Sequence, residues 1–334
     1  SLRCIFRDQL DNHNQKTGKV FAKLRNLSDN KHRIVIMLLY RVGIGRSLMF
    51  VIIGWVIVLV SVFGGYMAMG GKLGPLWQPF ELVIIGGAGV GAYIVANPKF
   101  VLGQSGRAFK AAMRGPKYSK DDYLELLGLM YAVFKLAKTK GMLAIESHIE
   151  RPEESALFQA FPKFSADHHA LEFFCDYLRM MTLGTENPHE LADLLDEELE
   201  THHAEDAQIV TAYQTMGDGF PALGIVAAVL GVIKTMSSIT EPPEVLGKLI
   251  GGALVGTFLG IFLAYGIVSP LAVNMNNVFT ADAKYLACIK AGLLAHVAGY
   301  APAVSIEFAR KTLLSKDRPS FFEVEEAVAA LPPV

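Results

Sequence analysis

Three stretches of this 334-residue chain carry side chains that could do chemistry. "HHAED" at 202–206 and "DHH" at 167–169 gather histidines beside carboxylates, the donor types that hold divalent metals. Neither has the His-Glu-x-x-His spacing that aims two imidazoles at one ion, so both read as solvated helix faces and no metal is expected. "GGAGVG" at 86–91 has glycines like those of a phosphate cradle. It lacks that pattern's final glycine, lies in a charge-free run and follows no strand, so close helix packing is its expected use. Cys4, Cys175 and Cys288 are odd in number and scattered, which argues against a disulfide framework. No catalytic or cofactor-binding constellation emerges, and the chain is read as a non-enzyme without a cofactor. The remaining chemistry is ion movement, and here the informative feature is a lack. Proton and sodium pathways ordinarily use an ionisable group inside the bilayer. None of the four apolar runs described next contains Asp or Glu, and they offer hydroxyls instead, chiefly Ser61 and Thr257. An ion path here needs a carboxylate supplied by a partner.

Those runs define the architecture. With 52% hydrophobic and 19% charged residues and a mean hydropathy of +0.34, the chain is more apolar than a soluble domain. Arg46 to Lys72 encloses no charge, and Leu82–Pro98, Gly219–Ile233 and Leu249–Met275 follow as charge-free stretches. A bilayer core needs about 20 apolar residues, which the third reaches only if Lys234 extends its ammonium outward. The fold class is therefore an all-α integral membrane protein with four transmembrane helices and a large helical cytoplasmic domain between spans 2 and 3. Lys99, Arg107, Lys110 and Arg114 follow the second span, and Arg310, Lys311, Lys316 and Arg318 follow the fourth. The positive-inside rule then makes both termini cytoplasmic and leaves "GGKLGPLWQPFE" and "TMSSITEPPEVLGK" as short outer loops. The expected divisions are 1–48 as a basic extension, 49–98 as spans 1 and 2, 99–217 as the cytoplasmic domain, 218–275 as spans 3 and 4, and 276–334 as a cytoplasmic helical tail. Nothing in the charge pattern suggests nucleic acid; the surrounding lipid is the expected partner of the apolar faces.

Helical periodicity marks 123–141 and 169–184, each stopped by glycine, and 187–219, which opens on Asn-Pro and should lead straight into the third span. Ser320 and Glu323 have the spacing of a capping box. Gly252, Gly256 and Gly260 recur every four residues, as do Gly87 and Gly91, giving small-residue faces suited to tight packing on each other or on a partner helix. Two prolines are unusual. Pro221 and Pro270 fall at the same cytoplasmic level of spans 3 and 4, where loss of a backbone donor would make a shared flexible joint. The alternative is that Pro221 stands in a helix's first turn and Pro270 marks a helix end.

From about Met49 onward the chain resembles the MotA family of flagellar stator subunits, within the MotA/TolQ/ExbB proton channel family. The likeness rests on "VFGGY", "QPFELVIIGGAGVGAYIV", "DYLRMM", "LDEELETH", "FPALGIVAAVLGVI", "VGTFLGIFLAYGIVSPLA", "GYAP" and "RKTLLSKDRPSFFEVEE". It implies a proton channel formed with MotB, whose helix brings the essential aspartate, and conversion of ion flow into torque on the rotor. It implies an inner-membrane homo-oligomer, five A subunits around two B. Residue by residue, it makes Pro221 and Pro270 the torque-coupling prolines and Lys138 and Glu146 the contacts with the rotor protein FliG. Lys138 stands where arginine is usual, which keeps the charge but not the planar fork. Thr257 borders the implied ion path. Sodium-driven relatives carry a further threonine where this chain has Ala228, and a methyl gives Na⁺ no oxygen, so protons are the expected ion. Residues 1–48 are unmatched and are expected to reflect an upstream start-site error or, if translated, a basic membrane-surface segment. An energiser of the ExbB or TolQ type is the alternative; it should have three spans. A solute transporter should show internal repeats and broken midplane helices, which this sequence lacks.

Overall fold

The computed structural model describes residues 46–184 and 187–331; the proposed extension at 1–48 thus lies outside the description except for its last three residues. Among the described residues there are helices and no strands. Helix α1 (Arg46–Leu59) passes through a π-helical turn at Val60–Gly64 into α2 (Gly65–Ala68), and α3 (Pro79–Ala96) returns. Then come α4 (Lys99–Arg114), α5 (Lys120–Lys140), α6 (Leu143–Glu150), the short α7 (Ala156–Gln159) and α8 (Pro162–Ser165), and α9 (His168–Thr182). The 49-residue α10 (Pro188–Met236) is followed by α11 (Pro243–Ile261), a π-helical segment at Phe262–Val268, α12 (Ser269–Val297), α13 (Pro302–Lys311) and α14 (Phe321–Ala329). Four helical stretches are long and apolar enough to cross a membrane, Leu48–Ala68, Gly74–Ala96, Pro188–Met236 and Pro243–Val297; they overlap all four expected runs and contain the third and fourth whole.

Local chemistry sets the helix boundaries. Gly141 and Gly184 stop α5 and just follow α9 at φ values of 86° and 101°, where a Cβ would be strained. Asn187 caps α10 by accepting the His189 N–H at 3.0 Å, with Pro188 in the first turn where its missing donor costs nothing. Ser320 and Glu323 form the expected capping box on α14, and Ser119 with Asp122 forms another on α5.

Three cores result. One, lined by Ile85, Phe220, Ala227, Ala264 and Val268, holds the apolar helices together. A second, around Val101, Ala108, Ile209 and Met275, lies where α4 packs against α10 and α12. The third and largest fills a bundle of α5–α9, the start of α10, and α12–α14, so side chains of 99–217 and of 276–334 share one interior. Helices α10 and α11 form an apolar pair, and α10, together with α12 by way of the π-helical segment, runs on from it into that bundle.

His296, near the end of α12 and well beyond the apolar run, is stacked on Phe134 with centroids 4.4 Å apart, and its Nδ1 is sealed from solvent without a hydrogen-bond partner among the described residues. Burial, helped by Lys138, pushes its pKa down from 6.5 to about 4. Because the folded value is depressed, the neutral ring's contribution to stability is present above pH 6.5 and is lost as pH falls towards 4. Thermal unfolding is therefore expected to come at lower temperature across that window, and less so in His296→Phe, which keeps the stack without the titration; identical pH slopes in both proteins would refute this.

Candidate functional site

The apolar pair is built on backbone contact. A Cβ on Gly260 would lie 2.5 Å from the Phe220 carbonyl oxygen and 2.8 Å from Gly224 Cα. In return, a Cβ on Gly224 would lie 2.8 Å from the Gly256 carbonyl oxygen. Gly256 faces Ala227 and Ala228, and Gly231 faces Ala253. Of the expected small-residue stripe on α11, Gly256 and Gly260 thus pack on a matching stripe of α10, whereas Gly252 meets the Gln78 side chain ahead of α3, 2.9 Å from its would-be Cβ. Gly87 and Gly91 behave differently: neither has an atom of the described residues within 4 Å of its would-be Cβ, and it is Gly89 that meets another helix, at Phe220.

Ala228 and Thr257 lie on the two helices of this seam: a Cβ on Gly256, the neighbour of Thr257 in sequence, would sit 3.2 Å from the Ala228 nitrogen. Both are half-buried. A hydroxyl and a methyl in a narrow apolar seam can order a water or border a passing ion; they cannot carry a proton themselves.

Pro221 is interior to α10 and Pro270 falls directly after a π-helical segment inside a continuous 55-residue helical stretch. The readings of Pro221 as a first-turn residue and of Pro270 as a helix end are therefore corrected: tertiary packing carries both helices straight through. Proline has no N–H for the carbonyl four residues earlier, so Gly217 and Gly266 lose their ordinary intrahelical donors. Near Pro270 the helix widens, with the Ser269 N–H donating to Ala264 O, five residues back. The two sites adjoin: a Cβ on Gly217 would lie 3.0 Å from Ser269 Oγ, itself buried and unpartnered among the described residues. Two weakened helix segments thus stand face to face, at the place expected from the sequence for a joint.

Just beyond the joint the chain is tied down. Tyr93 Oη and Ser105 Oγ share a hydrogen bond of 2.5 Å, Tyr213 Oη donates to Ser105 O at 3.1 Å, and Asn274 Nδ2 donates to Ala112 O at 2.7 Å. These bonds attach α4 to α3, α10 and α12.

Lys138 and Glu146 are exposed on either side of the Gly141 corner between α5 and α6. Lys138 is also engaged within the chain: Nζ donates to Gly299 O at 3.1 Å and Tyr300 O at 3.4 Å, just past the C-terminus of α12, where a cation complements the helix dipole.

Two family models match the chain, one described as the N-terminal region of motility protein A over residues 52–141 and one as the MotA/TolQ/ExbB proton channel family over 165–286. Motility protein A of Salmonella typhimurium is 45% identical over 85% of this chain and 96% of its own length. The chain belongs to the MotA/TolQ/ExbB proton channel family. Among solved structures, the C. jejuni MotAB superposes with a TM-score of 0.66 at 19% identity, covering 80% of this chain and 97% of that one. The flagellar MotAB stator complex of Bacillus subtilis gives 0.62 at 25% identity over 79% and 94%. The first is a likeness of fold.

Two features of this MotA-family chain escape a reading of its sequence. One is the pair of π-helical segments, which adjoin: Phe63 of the first sets its edge against Phe258 and Phe262 at 6.2 and 5.6 Å. Only Pro270 hints at the second segment, and nothing local marks the first. The other is Glu81. Counting from Leu82 leaves it outside the second run, but α3 begins at Pro79 and takes it into the first turn, where Glu81 Oε2 is sealed from solvent without a partner among the described residues.

Proposed function

We propose that the chain works as the A subunit of a flagellar stator, forming a proton channel with MotB and turning ion flow into torque. The observation that carries the reading is the joint formed at Pro221, Gly217 and Ser269–Pro270, in a family member whose apolar runs lack their own carboxylate. MotB would supply the aspartate. Thr257 and Ala228 then border the path it uses, and a protonation change there is felt first by the third and fourth spans. Continuous α10 and α12 carry the resulting tilt into the bundle. Lys138 and Glu146, exposed at the Gly141 corner, are the surface offered to the rotor protein FliG. Such contacts are salt-sensitive and individually redundant.

The same proposal sets the topology. Both termini and the bundle built from 99–217 and 276–334 are cytoplasmic, spans fall within 49–98 and 218–275, and the protein resides in the bacterial inner membrane, bathed in lipid. The small-residue faces left open at Gly87 and Gly91 suit close approach of further helices, in keeping with five A subunits around two B. Four membrane-crossing stretches disfavour the ExbB or TolQ type, for which three are expected.

Deleting the gene is the test: cells should build complete flagella that do not turn, and missing filaments would overturn the proposal. Ion choice has its own test. With a methyl at Ala228 that position offers Na⁺ no side-chain oxygen, which favours protons. Swimming speed is expected to be unchanged in sodium-free medium at constant proton-motive force; loss of swimming there would make sodium the ion.

A further inference from the structure

Beneath the joint, a pocket of about 240 Å³ gathers ionisable side chains from four separate elements. Lys117 and Tyr118 come from the connection between α4 and α5, and His169 from the first turn of α9. His202, His203, Glu205 and Asp206 come from α10, and Asp282 from α12. Asp282 follows the apolar run by seven residues and Asp206 precedes Gly219 by thirteen, so both lie clear of the membrane-spanning segments.

The connection is held from two sides. Asp282 Oδ1 accepts the Lys117 backbone N–H at 2.7 Å, while Asp167 Oδ2 accepts Lys117 Nζ at 2.8 Å and Tyr118 Oη at 2.6 Å. Tyr118 also stacks on Tyr285 of α12 with centroids 3.7 Å apart. Across the pocket, Asp206 of α10 faces Asp282 of α12, both half-buried. His202 lies between Glu198 and Glu205 at 3.9 and 4.0 Å and sets its ring perpendicular to His169 at 4.7 Å. One lysine thus faces three lining carboxylates whenever the histidines are neutral.

We propose that this pocket is a cytosolic proton-binding site that clamps the helices extending spans 3 and 4: a proton taken up by Asp282 removes its repulsion with Asp206 and draws α10, α12 and the 115–119 connection together. The sign follows from burial. Desolvation comes first among the causes that raise Asp282 from 3.8 to about 6, outweighing its bond to the Lys117 N–H, and the charge of Asp206 adds to it. Asp206 is itself raised by burial, against the pull of His203 and His202. A carboxylate whose value is raised by closure favours closure once protonated, so the clamp tightens as pH falls through about 6 and loosens above it. Acidification of the cytosol, which removes the gradient driving inward flow, would thereby stiffen the joint.

The cytosolic location and the effect on rotation rest on the stator reading; the clamp itself does not. Hydrogen exchange of the full complex, corrected for the intrinsic rate, tests it directly. Between pH 7 and 5, peptides covering 115–119, 200–206 and 278–286 should gain protection by about fivefold or more. Asp282→Asn should be protected at both values. In Asp206→Asn the midpoint of the protection change should move to lower pH, since a neighbouring negative charge is gone, and this variant decides the matter if Asp282→Asn fails to fold. Protection independent of pH in the unaltered complex, or an unchanged midpoint in Asp206→Asn, would overturn the clamp. Swimming speed against clamped cytosolic pH is the separate readout: a working clamp whose Asp282→Asn form leaves that profile unaltered would count against the coupling to rotation alone.

Discussion

Pro221→Ala should leave the protein folded and assembled in the membrane while lowering swimming speed about tenfold or more. Proline inside an α-helix costs roughly 3 kcal/mol through its missing N–H and its clash with the preceding turn. The structure keeps Pro221 inside a 49-residue helix, against the facing break at Ser269–Pro270. Alanine would restore a donor to the Gly217 carbonyl and remove the clash, so the helix should become more stable as the joint stiffens. Stability and function should therefore move in opposite directions, which distinguishes a joint from a merely tolerated proline. The measurements are thermal unfolding of the purified complex and tracking of swimming cells, with membrane abundance as control. Full motility in Pro221→Ala would make the proline incidental, and lost assembly would make it structural.

The second large effect is expected at Gly260. Its Cβ position lies 2.5 Å from one backbone atom and 2.8 Å from another, so no flexible side chain can swing aside. Gly260→Val forces α10 and α11 apart along the seam that holds Thr257 and Ala228. Overpacking in a filled core costs about 1–3 kcal/mol when side chains can yield, and more is expected where only backbone can move. The complex should be lost from the membrane and swimming should cease. Gly103→Ala, in α4 with nothing within 4 Å, is the matched control and should be neutral or slightly stabilising, as alanine is a better helix former. Normal assembly of Gly260→Val would mean that the two helices do not meet as described.

Much of the fold was legible because bilayer insertion and helix periodicity are short-range codes. Charge-free runs of sufficient length, glycines after Lys140 and Thr182, Asn-Pro at the head of α10 and the Ser320–Glu323 box each act within a few residues and need no tertiary partner. The small-residue stripe at Gly252, Gly256 and Gly260 was readable as a packing face for the same reason. Which helix it faces was not, because every apolar helix in the chain carries some small residues, and only the assembled contacts distinguish Gly89, packed on Phe220, from the open Gly87 and Gly91.

Sequence alone determined the number of apolar runs and the helical class, since these follow from which residue types are present and how they are spaced. Tertiary structure decided what the prolines do. A proline in an isolated helix is a terminator, whereas here contacts on both sides of Gly217, Ser269 and Phe220 carry the helices through it, so the missing hydrogen bond becomes a weakened point inside a continuous helix. It decided the pocket as well. Lys117, Asp206 and Asp282 are up to 165 residues apart in sequence, and they line one pocket only after four elements have packed around it.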